Sequence, residues 1–217
     1  MGLVGETLPL AIAIAASPFP VIPAILLLFT PRARATSLAF LGGWFVGVLA
    51  VVLAFTLLAD LIEMFDEPPT WASVARIVIG LALIAWGIRK WATRHAKTDL
   101  PPWMSALDSA TPGGAVQMAL LLSAANPKIL LLAGAAGLIL GSESPDAATL
   151  VITAIVFTVI SSIGVAIPVL LYAIRGDKVL RPLGRARDWL QRNNSAVMAV
   201  VFIVIGVVLA VKGAASL

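Results

Sequence analysis

Ser123-Ala124-Ala125-Asn126-Pro127-Lys128 lies in the middle of an apolar run from about 114 to 140. Such a run is long enough to cross a bilayer, because roughly 20 apolar residues cover about 30 Å of hydrocarbon. Counted from Gly114 at 1.5 Å per residue, Asn126 lies about 18 Å in, near the middle of the span. Pro127 has no N–H to offer the Ser123 carbonyl, so the helix is expected to break there. Broken backbone at that depth is tolerated only where protein buries it or water lines it. Lys128 is the only charge placed this deep in any apolar run. An ionisable group at bilayer centre is costly and marks function by default. The bland account is that Lys128 neutralises a freed carbonyl or snorkels, but both faces are far away.

A counterpart occurs in the run from about 8 to 29, as Ser17-Pro18-Phe19-Pro20-Val21-Ile22-Pro23. Ser17 lies about 14 Å from the start of that run. Pro20 removes the donor for the Ala16 carbonyl and Pro23 the donor for Phe19, so this span too is expected to break, with its second half-helix starting after Pro20. Two broken helices in corresponding positions are the best sequence pointer to a transport site. Half-helix N-termini with unpaired N–H groups attract anions, and Lys128 adds a full positive charge. No Asp or Glu lies mid-span; Asp60 and Glu63, at the outer end of the second run, are the only near-membrane carboxylates available for ion coupling. This asymmetry predicts a substrate with a phosphate, sulfate or carboxylate head.

The remaining runs lie at about 38–62, 72–91, 148–173 and 195–214. The chain has 217 residues, 60% hydrophobic and 12% charged, whereas soluble domains carry about 25% charge. The expected fold is therefore all-α integral membrane: six transmembrane helices as two inverted three-helix repeats, helices one and four broken by proline. One membrane domain covers 1–217, with the first repeat at 1–97 and the second at 112–217. The N-terminal run has no basic residue before it and continues to Phe29, so it reads as a retained span and not a cleaved leader.

The absence of cysteine excludes thiol chemistry, and the single histidine, His95 in a basic loop, excludes a multi-histidine metal site. Neither a Ser–His set nor a carboxylate pair shares one depth, which disfavours a hydrolase. No cofactor, metal or catalytic residue is expected, and the chain is not read as an enzyme. Loop charges alternate strictly. Arg32 and Arg34 are followed by Asp66 and Glu67. Arg89, Lys90, Arg94 and Lys97 are followed by Glu143 and Asp146, and then by Arg175, Lys178, Arg181, Arg185, Arg187 and Arg192. The positive-inside rule puts the basic loops in the cytoplasm and both termini outside the inner membrane. The net charge of +4 is thus a topology signal, and no nucleic acid is expected as a partner.

The halves resemble each other. Ile77-Val78-Ile79-Gly80 returns as Ile203-Val204-Ile205-Gly206, each followed seven residues later by glycine, Gly87 and Gly213. Ala16-Ser17-Pro18-Phe19 aligns with Ala125-Asn126-Pro127-Lys128. A three-span unit is odd-numbered, so its repeat inserts inverted. Gly43-x3-Gly47 and Gly137-x3-Gly141 are small-residue packing patterns. Gln117, Ser161, Ser162 and Trp44 are candidate pathway residues, for which interhelical hydrogen bonding is an equal account. Pro168 is expected to kink span five, and Arg76 to pair with Asp66 and Glu67 at the outer interface. Arg181–Arg192 with Trp189 reads either as a topology-fixing loop or as a short interfacial helix on anionic inner-leaflet lipids. Trp103, after Pro101 and Pro102, reads as an interfacial anchor.

Asn126-Pro127-Lys128, with the proline-rich break in span one, resembles the lysine-exporter-type superfamily of six-span transporters. That family commonly has Asn-Pro-Gly-Pro where this chain has Ser17-Pro18-Phe19-Pro20. Ser-Pro-Phe-Pro, Thr30-Pro31-Arg32-Ala33-Arg34-Ala35, Gly42-Gly43-Trp44 and Ala124-Ala125-Asn126-Pro127-Lys128 together look closer to the actinobacterial glycolipid-addressing, or sulfolipid-addressing, membrane proteins. The resemblance implies movement of a complex glycolipid toward the cell surface. The expected substrate site comprises Ser17, Pro18, Phe19, Pro20, Pro23, Ser123, Asn126, Pro127 and Lys128. Expected partners are a membrane glycolipid substrate, anionic inner-leaflet lipids, and either a second copy of the chain or lipid-export machinery. A small-solute exporter and a non-transporting assembly partner are the competing readings.

Overall fold

The computed structural model describes residues 2–62, 70–92, 110–143 and 146–215, and every regular element among them is helical. The elements are α1 (Gly2–Ala15), α2 (Pro18–Leu27), α3 (Ala33–Ile62), α4 (Thr70–Ala92), α5 (Pro112–Ala124), α6 (Pro127–Ser142), α7 (Ala147–Arg175) and α8 (Leu180–Ala215), with a 3₁₀ turn at Gly176–Val179 before α8. Ala33–Ala59 and Ala147–Leu190 are each long and apolar enough to cross a bilayer. Two bent pairs, Leu3–Ala15 with Pro18–Leu27 at 50° and Pro112–Ala124 with Pro127–Ser142 at 68°, raise that number to four.

α7 shows why this is a membrane protein. Its outward stripe is Ile152, Ile155, Val159, Ile163, Ile167 and Ile174, while Thr153, Thr158, Ser161 and Ser162 are buried. Apolar side chains outside and polar ones inside invert the pattern of a surface helix in water.

The chain divides into two compact units, Met1–Ile62 with Leu100–Asp188, and Glu63–Asp99 with Trp189–Leu217. In the first, α3 runs alongside both α5 and α6 in the same direction. A Cβ built on Gly43 would stand 2.9 Å from the Val116 carbonyl, and one on Gly47 would strike the Ser123 side chain. Further along, Gly137 meets Val52 and Phe55, and Gly141 meets Thr56 and Ala59. Glycine is needed at these four positions because the backbones approach too closely for any side chain. α7 runs parallel to α1 and α2. A Cβ built on Gly164 would strike the Ala15 carbonyl and stand 3.2 Å from the Val21 side chain, and further along Val179 and Leu183 pack with Ile25 and Leu28.

In the second unit α4 and α8 lie antiparallel, with Trp86 stacked on Phe202 at 5.4 Å. A Cβ on Gly80 would stand 2.7 Å from the Gly206 carbonyl and 2.8 Å from the Ala210 N–H. Reciprocally, a Cβ on Gly206 would stand 2.5 Å from the Gly80 carbonyl and 2.9 Å from the Ile84 N–H. The contact is self-complementary, as at a two-fold axis.

Asp60 lies in α3, but its side chain is outside the described residues, as is that of Arg76. Glu63, Asp66, Glu67, His95 and Trp103 are outside them altogether.

Candidate functional site

Both interruptions follow from the residue before a proline. The ring disfavours helical geometry there and drives the backbone into the extended region. Ser17 has φ −71°, ψ 122°, and Asn126 has φ −81°, ψ 114°. α2 consequently begins at Pro18 and not, as the sequence suggested, after Pro20. Pro18 and Pro20 occupy the first and third helical positions, where no intrahelical donor is needed. Pro23 lies inside α2 and is accommodated without ending it.

The breaks are seated in the same way. Ala15, at the end of α1, lies against Gly164 of α7, whereas Ser123, at the end of α5, lies against Gly47 of α3. Each interrupted span is thus pressed against the glycine of a long helix from the opposite half of the sequence. Their chemistry differs. At the second break the Asn126 Oδ1 accepts the Lys128 N–H at 3.0 Å and caps α6. At the first the Ser17 side chain makes no cap bond.

Lys128 is only 8% exposed and stands at the second position of α6. A cation in the first turn opposes the helix dipole, and burial adds a desolvation cost. Neither effect favours the helix, so the placement suits an anion recognised by the helix end and the ammonium together. Ser123 is fully buried and donates to the Leu120 carbonyl at 2.9 Å, so it packs the break instead of facing a ligand. Pro18, Pro20 and Pro23 are buried, Phe19 and Asn126 half-buried, and Pro127 exposed.

Of the candidate pathway residues, Trp44, Ser161 and Ser162 are buried, and the indole Nε1 and both hydroxyls have no hydrogen-bond partner among the described residues, nor does the Ser17 hydroxyl. All four lie within one helical turn of the Gly47 or Gly164 contact. Sequence periodicity reveals that such residues are polar inside a span, but not that their atoms are left over. Gln117 differs: two residues from Ala115 and Ala119, it turns to the opposite, exposed face of α5. There it lines an open cavity of about 300 Å³ with Gly114, Met118, Leu121 and Leu122.

The basic segment after α7 is helical, but as the first turns of the 36-residue α8 and not as a separate short helix. Leu183 faces inward, Arg181 and Arg185 are exposed, and Arg187 donates to Asp188 at 2.6 Å while lying 5.7 Å above the Phe29 ring.

A family model described as "Sap, sulfolipid-1-addressing protein" matches residues 7–215. No curated protein and no solved structure matches the chain.

Proposed function

The chain belongs to the sulfolipid-1-addressing protein family, and from that premise we propose that it is a multi-pass inner-membrane transporter or export factor for a cell-envelope glycolipid or related anionic amphiphile. Six spans are made by the two bent pairs, α3, α4, α7 and α8, arranged as two inverted repeats of the lysine-exporter type. The exchanged seating of the two breaks supports that symmetry. So does the reciprocal contact of Gly80 with Gly206, the glycines that the repeat itself equates. Parallel packing of α3 with α5 and α6, and of α7 with α1 and α2, agrees with strict alternation of six spans. Alternating access would rock one repeat against the other. Exposed Arg181, Arg185 and Arg192 suit anionic inner-leaflet lipids, and a second copy or lipid-export machinery would be the protein partner.

The observation that carries this reading is Lys128, buried in the first turn of α6 beside a break at mid-span. A hydrogen bond to a charged group contributes about 1.5–3 kcal/mol, roughly tenfold or more in affinity. In reconstituted vesicles, Lys128→Gln is expected to weaken binding of a sulfated glycolipid about tenfold and to leave its uncharged parent unchanged. Equal retention of both lipids by variant and wild type overturns the headgroup assignment. Competition by free amino acids instead of lipids assigns the site to small solutes.

A further inference from the structure

The Ser17, Ser161 and Ser162 hydroxyls depart from a pattern that five other buried hydroxyls follow. A serine or threonine inside a helix readily donates to a carbonyl three or four residues back. Thr7, Thr36, Thr56, Ser123 and Thr158 all do so, at 2.8–3.0 Å. Ser17, Ser161 and Ser162 are 0%, 1% and 4% exposed and have no hydrogen-bond partner among the described residues. Leaving a buried hydroxyl unsatisfied costs about 1–3 kcal/mol, so Ser17 and Ser161, which flank the contact of Gly164 with the first break, mark a place where a guest completes the structure.

Gly164 lies against both sides of the first break, the Ala15 carbonyl at the end of α1 and Val21 in the first turn of α2, and Ser17 lies between them. Ser161 is one turn from Gly164 along α7. Pro168 has no N–H to give the Gly164 carbonyl, and Pro20 has none for Ala16. The last turn of α1 also presents the negative end of its dipole. Unlike the second break, this one has no cationic side chain: Phe19 stands where Lys128 stands in the repeat.

We infer that the first break and α7 form a binding site for a monovalent cation of sodium size, built from neutral oxygens. Its ligands are drawn from the Ser17 and Ser161 hydroxyls and the carbonyls of Ala16 and Gly164. Unwound carbonyls and half-helix C-terminal ends are suited to cations as N-terminal ends are to anions. Several neutral dipoles balance one positive charge, and no carboxylate is required. Water is the alternative guest, and it differs in one respect: it does not distinguish sodium from other cations. The site goes beyond the substrate reading, because it supplies a coupling ion whether the anionic ligand is a lipid or a small solute.

The test uses the purified full-length protein in detergent without lipid substrate, with Tm followed at constant ionic strength as sodium replaces choline or potassium. Sodium is expected to raise Tm by a few degrees at concentrations well above its Kd, rising with the logarithm of concentration at roughly 2–4 °C per factor of five or so. Ser161→Ala and Ser17→Ala are expected to abolish the sodium-specific rise, and Ser161→Thr to keep it. Equilibrium binding of radioactive sodium to the same samples gives a second readout should a variant lower Tm by itself. An equal rise with potassium and choline, or a sodium rise that survives the double alanine variant, overturns the site. Since Lys128→Gln leaves these oxygens intact, unchanged headgroup binding in that variant with sodium binding retained counts against the substrate reading alone.

Discussion

At the first break the residue before the proline is Ser17, whose hydroxyl caps nothing; at the second it is Asn126, whose Oδ1 holds the Lys128 N–H at 3.0 Å. The backbone is nearly the same at both, extended for one residue and helical on either side, because the same proline constraint sets it. Both are packed against a glycine on a long helix of the other half. What differs is what the side chains leave available. The second break has a satisfied cap and a buried ammonium. The first has free hydroxyls, carbonyls without donors and no charge. Two breaks with the same backbone and the same seating thus differ in chemistry through substitution at a few positions.

The common seating is the most sensitive feature to test. Gly164→Leu and Gly47→Leu would place side chains into the Ala15 carbonyl and the Ser123 side chain. Overpacking costs about 1–3 kcal/mol and more where backbone must move, so both variants are expected to lose most of the folded protein recovered from membranes. Adjacent residues supply an internal control. Gly43→Ala meets the Val116 carbonyl at 2.9 Å, whereas a Cβ at Gly42 has nothing within 4 Å. Gly42→Ala is expected to stabilise slightly, since alanine is favoured over glycine in a helix by about 1 kcal/mol. Similar unfolding midpoints for Gly42→Ala and Gly43→Ala would show that close approach does not hold α3 to α5.

A smaller effect separates the two prolyl turns. Removing a helix cap costs typically about 1 kcal/mol. Asn126→Ala is therefore expected to lower unfolding free energy by about that much, with Asn126→Ser in between. Ser17→Ala removes no cap bond and deletes a buried hydroxyl without a partner among the described residues, so with no sodium present its change should be within about 0.5 kcal/mol of zero or stabilising. If Ser17→Ala costs as much as Asn126→Ala in sodium-free buffer, the two breaks are structurally alike and the contrast fails.

How legible these features were in the sequence follows from the range of the forces involved. The breaks were legible because proline acts on its nearest neighbours. The start of α2 was misplaced by two residues, at Pro20 instead of Pro18, because a helix tolerates proline throughout its first turn. Gly43, Gly47, Gly137 and Gly141 announced close packing but not its partners. That α3 takes both halves of the second broken span depends on contacts about seventy to eighty-five residues away. Gly80 and Gly206 were matched as letters, while their touching each other is a property of the folded chain. Gln117 was recognised as polar within its span, while the face of α5 it takes, away from Ala115 and Ala119, depends on packing. The orphaned hydroxyls of Ser161 and Ser162 lay furthest from view, since a hydroxyl is orphaned only relative to everything packed around it.

The least disruptive comparison sets the cap of α6 beside that of α7, where Asp146 does at the surface what Asn126 does within a span. Its carboxylate accepts the Thr149 hydroxyl at 2.6 Å and the N–H groups of Thr149 and Ala148 at 3.1 and 3.0 Å. The Thr149 hydroxyl bond foremost, followed by the backbone N–H bonds, holds this carboxyl below the usual aspartate range. A folded-state pKa below the unfolded one means that the unfolded chain takes up the proton more readily. The contribution is thus complete above the unfolded value, about 4, and is lost as pH falls through the folded value. Asp146 is fully exposed, so the effect should be confined to the first turn of α7. Amide exchange at Ala148 and Thr149, corrected for its intrinsic pH dependence, is expected to quicken as pH drops below that range, while exchange at the Lys128 amide, capped by a neutral asparagine, stays flat. Asp146→Asn keeps a cap but has nothing to titrate, so its α7 amides should lose the pH response; if they keep it, a group other than Asp146 governs the start of that helix.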